Sequence, residues 1–554
     1  MRVLLSLLVL LPFIGSAQEL TGSLPASMRA GLSSEELPVV RAATFDRAAA
    51  DADDLLRDAS GKLRLYARFV PVQAATSTHG VWTELGGGDR IWRVKVRSED
   101  ALATELFFED VHLPRGAQLH IYAPDGSELQ GGWTNMHVQP NGALSTGMVH
   151  GSACVVEYFE PASARGEGTL RLVKLAHAYR DIERSDRSGT CHVDVLCSEG
   201  TGWEDQARAV VRIRIVNASG TGYCTGTLMN NTTLDCKGYV LTAFHCTEES
   251  SGEAHFGNYI FRFQHQRTDC GSTATTGNDV WSCVFRAGSQ DQGGEYGSDF
   301  TLLEMTNPIP ASYQPYWAGW DITVTGAANG VSIHHPGGDV KKISTFTTPA
   351  TSTSWSGFTN GSHWQVFWAQ TANGHGVTEP GSSGAALFNP LKRVVGTLTG
   401  GLSSCTEGGA GAGTGPNGSD KYGKFGYHWY GGLNPNPTAE ELHWWLAPVG
   451  NPEQQNGSSD PCGAIGVEEF TRWTPHVFPL PANDSFTMDL RGVPFAALRM
   501  DVQDATGRTI HSAPVMGGNL VEITTTTWPA GIYVVRFADA AAGVSGACVV
   551  NVVH

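Results

Sequence analysis

Thr378-Glu379-Pro380-Gly381-Ser382-Ser383-Gly384-Ala385-Ala386-Leu387 sets a serine between glycines, after a Glu-Pro and before a small apolar run that reads as a strand. A Gly-x-Ser-Gly turn of this kind exposes a hydroxyl and aims backbone N–H groups at the same point. Those are the parts that an acyl-transfer nucleophile and its oxyanion require. Gly and Ser also build ordinary turns, so the reading depends on a base and an orienter elsewhere. Upstream, Leu241-Thr242-Ala243-Phe244-His245-Cys246 is a strand running into a histidine, and Gly297-Ser298-Asp299-Phe300-Thr301-Leu302-Leu303 lies between the two.

The surrounding composition suits an exported, turn-rich β-protein. The chain has 554 residues, 67 glycines and 41% hydrophobic content, enough for three to four domains with proper cores. A formal charge of −17 excludes a nucleic-acid partner, which needs basic patches. Arg2, the apolar run Val3–Ile14 and Gly15-Ser16-Ala17 form a signal peptide, residues 1–17, with cleavage expected after Ala17. Eight of the 11 cysteines (Cys191, Cys197, Cys224, Cys236, Cys246, Cys270, Cys283 and Cys405) fall within residues 188–449, an even set that predicts four disulfides. Metal binding is the competing use of cysteine, but the chain has no C-x-x-C pair. No metal and no cofactor are expected.

Along the chain, residues 18–60 are Ala-rich and mildly helical. From Leu63 onward, alternating runs such as Leu63–Val70 and Ile91–Val96, with turns at Pro124-Asp125-Gly126 and Pro140-Asn141-Gly142, predict a β-sandwich ending near Tyr179. Arg180–Arg187 is charged and loop-like, a processing site in expectation. Residues 188–449 read as short strands, among them Val210–Val216 and Gly238–Ala243, with a helical pattern only at Ala439–Leu446. Residues 450–465 read as a linker and 466–554 as a small set of strands.

The order His245, Asp299, Ser383 within one disulfide-rich β-region is that of chymotrypsin-type enzymes, not of subtilisins or α/β-hydrolases. In that arrangement His245 takes the proton of Ser383 Oγ and Asp299 orients the ring, while the N–H groups of Gly381 and Ser383 form the oxyanion hole. Residues 188–449 moreover resemble the bacterial lysyl endopeptidases. The motifs are Cys191–Cys197, Cys224–Leu228, Leu241–Cys246, Ser298–Glu304, Trp317–Asp321, Ile333–Pro336, Val377–Gly384 and Ser403-Ser404-Cys405. The resemblance implies an all-β fold, with a chymotrypsin-like double β-barrel protease domain after a β-sandwich propeptide (18–187) and before a small β-sandwich sorting domain. It also implies the disulfides Cys191–Cys405, Cys197–Cys270 and Cys224–Cys246. Cys236 and Cys283 remain as a fourth pair, and Cys462 with Cys548 would then leave Cys154 single.

Specificity departs from trypsin. Six positions before the nucleophile stands Val377, not an acid. In the family the acid comes from a later loop, which matches Ser419-Asp420-Lys421-Tyr422-Gly423, so Asp420 is the expected partner of a lysine ammonium; its alternative is a turn former. The pocket-wall tryptophan falls on Trp355, whereas the histidine that stacks on it in the family is replaced by Thr399. That loss would widen the site and admit arginine. Thr399, Gly400 and Gly401 are expected to pair with substrate backbone. His334 and His335, adjacent on a strand, point to opposite faces and read as structural.

Ser382 is neutral where trypsin-type zymogens carry an aspartate, so activation should follow another route: residues 18–187 assist folding and block the cleft until cut near Arg187-Ser188. Lys174 is the last lysine before the domain, so strict lysine self-processing does not explain that cut. Val477–Phe486 and Ala530–Arg536 resemble the sorting domain of the type IX secretion system, with a surface-binding β-module as the alternative. The expected product is a secreted or surface-attached monomer acting on protein and peptide substrates, with the type IX machinery as partner. The rival is a non-catalytic protease-like binding protein, though no triad member is missing.

Overall fold

The computed structural model describes residues 24–180, 188–289, 297–356, 358–406, 415–430, 437–463, 471–472, 476–490, 498–504, 508–515, 520–539 and 544–554. The signal peptide and the Arg187 side of the processing site lie outside them. The chain divides into two compact units, Met1–Pro461 and Cys462–His554.

In the first unit, the longest helix of the leader is Arg47–Ala59, capped by Asp46 through its bond from the Ala49 N–H (2.9 Å). Two sheets follow. One carries Val39–Arg41, Val81–Glu84, Arg90–Arg97, Ala153–Glu160, Gln118–Tyr122 and Leu129–Trp133; the other carries Leu65–Ala75, Thr169–Ala178 and Ala103–His112. Alternate residues of both, such as Val70, Val94, Phe108, Ile121, Val156 and Leu175, meet in one core. This is the β-sandwich read from the alternation.

The second of these sheets does not stop at the leader. Leu65–Ala75 pairs antiparallel with Gly220–Leu228, in the register Arg68 to Gly220, Ala67 to Thr221 and Leu65 to Gly222. From there the sheet runs on through Val210–Val216, Ile260–Phe263 and Asn278–Trp281 on one side, and through Tyr239–Thr242, Thr301–Met305 and Cys283–Gly288 on the other. Gly220 permits the junction, since a Cβ there would lie 2.0 Å from the Ala67 carbonyl oxygen. One core serves both parts: Leu65, Tyr66 and Phe107 pack with Ile213, Val240 and Leu303. The buried Arg214 crosses the junction to Glu105 Oε2 (3.1 Å) and Ser145 Oγ (2.8 Å), and Tyr66 stacks on Tyr223 at 4.6 Å.

A second sheet within residues 188–449 orders Val193–Asp194, Lys342–Phe346, Gly330–His334, Ala386–Phe388, Arg393–Gly401, Ser419–Lys424, His363–Phe367 and Thr351–Thr353. The two sheets together are consistent with the chymotrypsin-like plan, with His245 and Asp299 at the first and Ser383 at the second. The stretch read as a linker packs against the second sheet through Gln454–Gln455, which pairs with Trp320 and Asp321.

Disulfides join Cys191–Cys405, Cys197–Cys270 and Cys224–Cys246. The expected Cys236–Cys283 bridge is not formed: Cys283 is a buried free thiol directed at the Phe256 carbonyl (3.4 Å), and Cys236 is disulfide-bonded elsewhere. Elimination failed there because the cysteine count was closed within 188–449. Cys154 and Cys548 are also free, so Cys462 and Cys548 do not pair.

The second unit has a five-stranded and a three-stranded sheet. Their apolar faces, including Phe486, Met488, Met500, Val502, Val535 and Val550, share a core.

Candidate active site

The strand Tyr239–Thr242 ends in the single helical turn Phe244–Thr247, which carries His245. The Cys224–Cys246 bridge ties this turn to the neighbouring strand. Asp299 precedes the strand Thr301–Met305 and is held in the left-handed region, φ +58°. Both of its oxygens face His245: Oδ2 accepts from Nδ1 at 2.9 Å and Oδ1 from the backbone N–H at 3.0 Å. The Asp299 side chain is fully buried and that of His245 is 14% exposed. Burial opposes the imidazolium, but the Asp299 charge and hydrogen bond outweigh it and hold the His245 pKa above its ordinary value. Burial likewise opposes the carboxylate, and the His245 contacts, with a further one from the Thr399 hydroxyl, bring Asp299 down to about 2.

Ser383 sits in a turn fixed on every side. Ser382 N–H donates to Glu379 O (2.9 Å), Gly384 N–H to Leu398 O (2.9 Å), and Thr225 N–H to Ser383 O (2.8 Å). Thr225 Oγ1 donates to Gly381 O (2.9 Å), and Gly337 N–H to Pro380 O (2.7 Å). Gly381 needs its lack of a side chain: at φ +99° a Cβ would lie 2.8 Å from the Gly338 nitrogen and the His335 oxygen. Among the described residues, the N–H groups of Gly381 and Ser383 have no intramolecular acceptor. Two donors thus stand free beside one hydroxyl, as an oxyanion site requires. The Ser383 carbonyl lies 3.9 Å from Cys246 Sγ, the residue after His245. Ser383 Oγ makes no hydrogen bond to His245, and bonds of this kind commonly tighten only in a substrate complex.

Ser382 is buried and its Oγ pairs with His334 Nδ1 (2.7 Å), whose Nε2 reaches Ser344 Oγ (3.0 Å). His335 Nδ1 instead donates to Asp339 O (2.9 Å). The two histidines serve separate bonds. His192 Nε2 and Glu379 Oε2 approach to 3.4 Å near Cys405, but that sulfur is spent on Cys191, which removes it as a metal ligand.

Asp420 is wholly buried on Ser419–Lys424. Its Oδ2 accepts from Trp368 Nε1 (2.6 Å), Thr378 Oγ1 (2.7 Å) and Ser403 Oγ (2.6 Å), and its Oδ1 accepts from Ser403 N–H (3.2 Å). Among the described residues no basic side chain pairs with it. Burial pushes its pKa above the ordinary aspartate value against the pull of these donors. Trp368 was not singled out in the sequence, and Thr378 and Ser403, though inside quoted motifs, were given no role at the pocket. The donor at Thr378 had a signal, being one residue after the Val377 position examined for an acid.

Thr399 sits at a bulge between Leu398 and Gly400 and has no ladder partner there, while Gly400 and Gly401 pair with Lys421 and Asp420. Trp355 lies against Gly400, its ring 3.2 Å from where a Cβ would stand. The wall expected to be lost with Thr399 is present: His363, from the next strand but one, stacks near-parallel on Trp355 (6.2 Å, 29°) and bonds Thr399 Oγ1 through Nε2 (3.1 Å). Sequence reasoning missed His363 because it examined only the aligned position, and a ring can reach the same space from another strand.

Residues 185–423 match the family described as lysyl endopeptidase, C-terminal domain, and residues 476–551 the secretion system C-terminal sorting domain. A lysyl endopeptidase of Pseudomonas aeruginosa is 29% identical over 277 residues, covering 47% of this chain. The match spans 57% of that relative's own length. Among solved structures, an inactivated protease paralogue of the scabies mite aligns at 13% identity and TM-score 0.30, over 44% of this chain and 95% of that one. The protease Anisep of Arthrobacter nicotinovorans aligns at 18% identity and TM-score 0.28, over 39% and 89%. Over residues 185–423 the chain is thus similar to the lysyl endopeptidases, and over residues 476–551 to secretion-system sorting domains.

Proposed function

We propose that this chain is a secreted serine endopeptidase that cleaves after basic residues, chiefly lysine, through an acyl-enzyme formed on Ser383. In this reading His245 is the general base and then the acid to the leaving amine. Asp299 orients and stabilises the imidazolium, and the N–H groups of Gly381 and Ser383 receive the oxyanion. The observation that carries the reading is the His245–Asp299 pair, bonded through both carboxylate oxygens, on the sheet facing a serine turn with two unspent N–H donors.

Lysine preference rests on Asp420. A buried carboxylate without a cation is costly, and an entering ammonium compensates it. Oδ2 is already saturated by three donors, so only Oδ1 has capacity to spare. A compact ammonium suits one acceptor oxygen, whereas a guanidinium fork is best met by two. Trp355 and His363 stack on one another against Gly400 and Thr399, which supports an intact wall there over the widened one of the broader Lys/Arg reading. The C-terminal domain fits export by the type IX machinery to the cell surface or beyond.

An active-site phosphonate separates this from a non-catalytic binding protein. Labelling is expected on the processed protein and absent from Ser383→Ala; a processed protein that takes no label sinks the enzyme reading. With a peptide library, Asp420→Asn should lose ~100-fold or more on lysine sites, the scale of a broken buried charge pair, and little on neutral ones. An equal fall on both makes Asp420 a structural hub.

A further inference from the structure

Ser188 and Gly189, the first described residues after the charged loop, each rest on a carboxylate that the proposed chemistry does not use. Ser188 Oγ donates to Asp339 Oδ2 (2.7 Å), and the Ser188 N–H reaches the same oxygen at 3.4 Å. The Gly189 N–H points between the two oxygens of Glu379 (3.3 and 3.2 Å). The fit is close: a Cβ on Gly189 would lie 2.8 Å from Glu379 Oε1, and Cys191 is bonded to Cys405. This end of the segment has a fixed seat.

Both carboxylates belong to the frame of the serine turn. Glu379 opens that turn and accepts the Ser382 N–H at its carbonyl (2.9 Å). Asp339 closes the turn Pro336–Gly338, in which Gly337 N–H donates to Pro380 O (2.7 Å) and Gly338 packs against Gly381. The Asp339 side chain is 1% exposed, and its charge is poorly met. Lys342 stands 3.8 Å from Oδ2 but is bonded to Asp194 at 2.6 Å, which Arg267 shares at 3.0 Å. Lys341 turns away to the Ala207 carbonyl and Arg212 to the Gly338 carbonyl. Glu379 has His192 Nε2 at 3.4 Å and feels the charge of the leader's Arg64. Without the leader, three acids (Asp194, Asp339 and Glu379) would share the two lasting cations Lys342 and Arg267, which leaves a buried carboxylate short of a partner.

We propose that Asp339 is the seat of the α-ammonium released when the Arg187–Ser188 bond is hydrolysed, and that this ion pair braces the Ser383 turn of the cut chain. Water adds across that peptide bond: Arg187 keeps a carboxylate, and the Ser188 nitrogen, freed of its acyl group, takes up a proton. The nitrogen already lies at Asp339, and three rotatable donors replace one amide N–H whose direction the chain had fixed. An acid on the neighbouring turn thus replaces the one missing at Ser382. Paired with a carboxylate, the ammonium keeps its proton to higher pH than the ~7.8 of a free α-amine. Its contribution is therefore full below that value and is lost as pH rises through the raised one. The effect on catalysis rests on the proposed function; the seat does not.

The seat is tested without catalysis. A full chain carrying Ser383→Ala and the recognition sequence of a specific protease immediately before Ser188 is cut, and the new amine is 13C-methylated and titrated by NMR. It should titrate at about 9 or above, and at ~7.8 in Asp339→Asn. Should that variant not fold, two extra residues left ahead of Ser188 displace the amine, which should then titrate at ~7.8. An undisplaced amine at ~7.8 in the parent overturns the proposal, whatever the enzyme does. In the active chain, kcat should be ~10-fold or more higher with the end at Ser188 than with the displaced end, at similar KM, the size of one hydrogen bond to a charged group. Only the former should lose activity as its amine titrates. Asp339→Asn should cost much with the end at Ser188 and little with the displaced end; an equal cost in both leaves Asp339 a structural residue and overturns the bracing. The naturally matured protein should begin at Ser188, and any other first residue overturns the proposal too.

Discussion

Asp420 and His245 are two buried ionisable groups pushed the same way for different reasons. Burial raises Asp420, whereas for His245 the Asp299 charge overcomes burial. In the proposed reading, Asp420 must be ionised to meet a lysine side chain, and His245 must be neutral to accept the Ser383 proton. Both conditions fail as pH falls, Asp420 on protonation through its raised pKa and His245 on protonation above its ordinary value. For lysine peptides KM should therefore climb on the acid side in addition to the fall in kcat, while for neutral peptides only kcat should fall. Parallel pH profiles of the two substrates check this, and coincident KM curves would count against Asp420 as the ammonium partner. The His245–Asp299 pair and the buried Asp420 were legible as candidates because each lies in a short motif. His363 was not, since its meaning comes from Thr399, which lies 36 positions away in sequence.

At the scale of elements, alternation revealed the leader strands and Val210–Val216, but not that Leu65–Ala75 and Gly220–Leu228 are neighbours. Pairing across such separation depends on edge shape, and here on a glycine. Replacing Gly220 by valine in the Ser383→Ala chain, which cannot process itself, sets a side chain against the Ala67 carbonyl. The expected cost is about 1–3 kcal/mol, the range for overpacking, read as a lower unfolding midpoint. An unchanged midpoint would show that the junction contributes nothing. The Cys236–Cys283 error belongs to this scale too, because cysteine counting assigns partners within an assumed boundary and Cys236 bonds outside it.

Across the first unit, the leader and residues 188–449 share a sheet and a core, with Arg214 buried between them. Among the described residues, no leader strand pairs with Thr399–Gly401, so the support for a role of residues 18–187 lies in folding, more than in covering that edge. Residues 188–554 produced alone are expected to remain unfolded and unlabelled by the phosphonate, and residues 18–187 supplied in trans should restore labelling. Full labelling without them would remove the folding role. Composition could not show this, since the two parts read as separate β-regions divided by a charged loop.

The shared core carries a consequence for the protein once cut. Excision of the leader, if it occurs, would withdraw Leu65, Tyr66 and Phe107 from around Ile213, Val240 and Leu303 and leave Gly220–Gly222 paired on one edge only, with Val210–Val216. What remained would be expected to be held less by the depth of its free-energy well than by the height of its walls, with the Cys191–Cys405, Cys197–Cys270 and Cys224–Cys246 links slowing escape. Such a domain, once unfolded, has lost the template that shaped it, and its working life is a matter of rate.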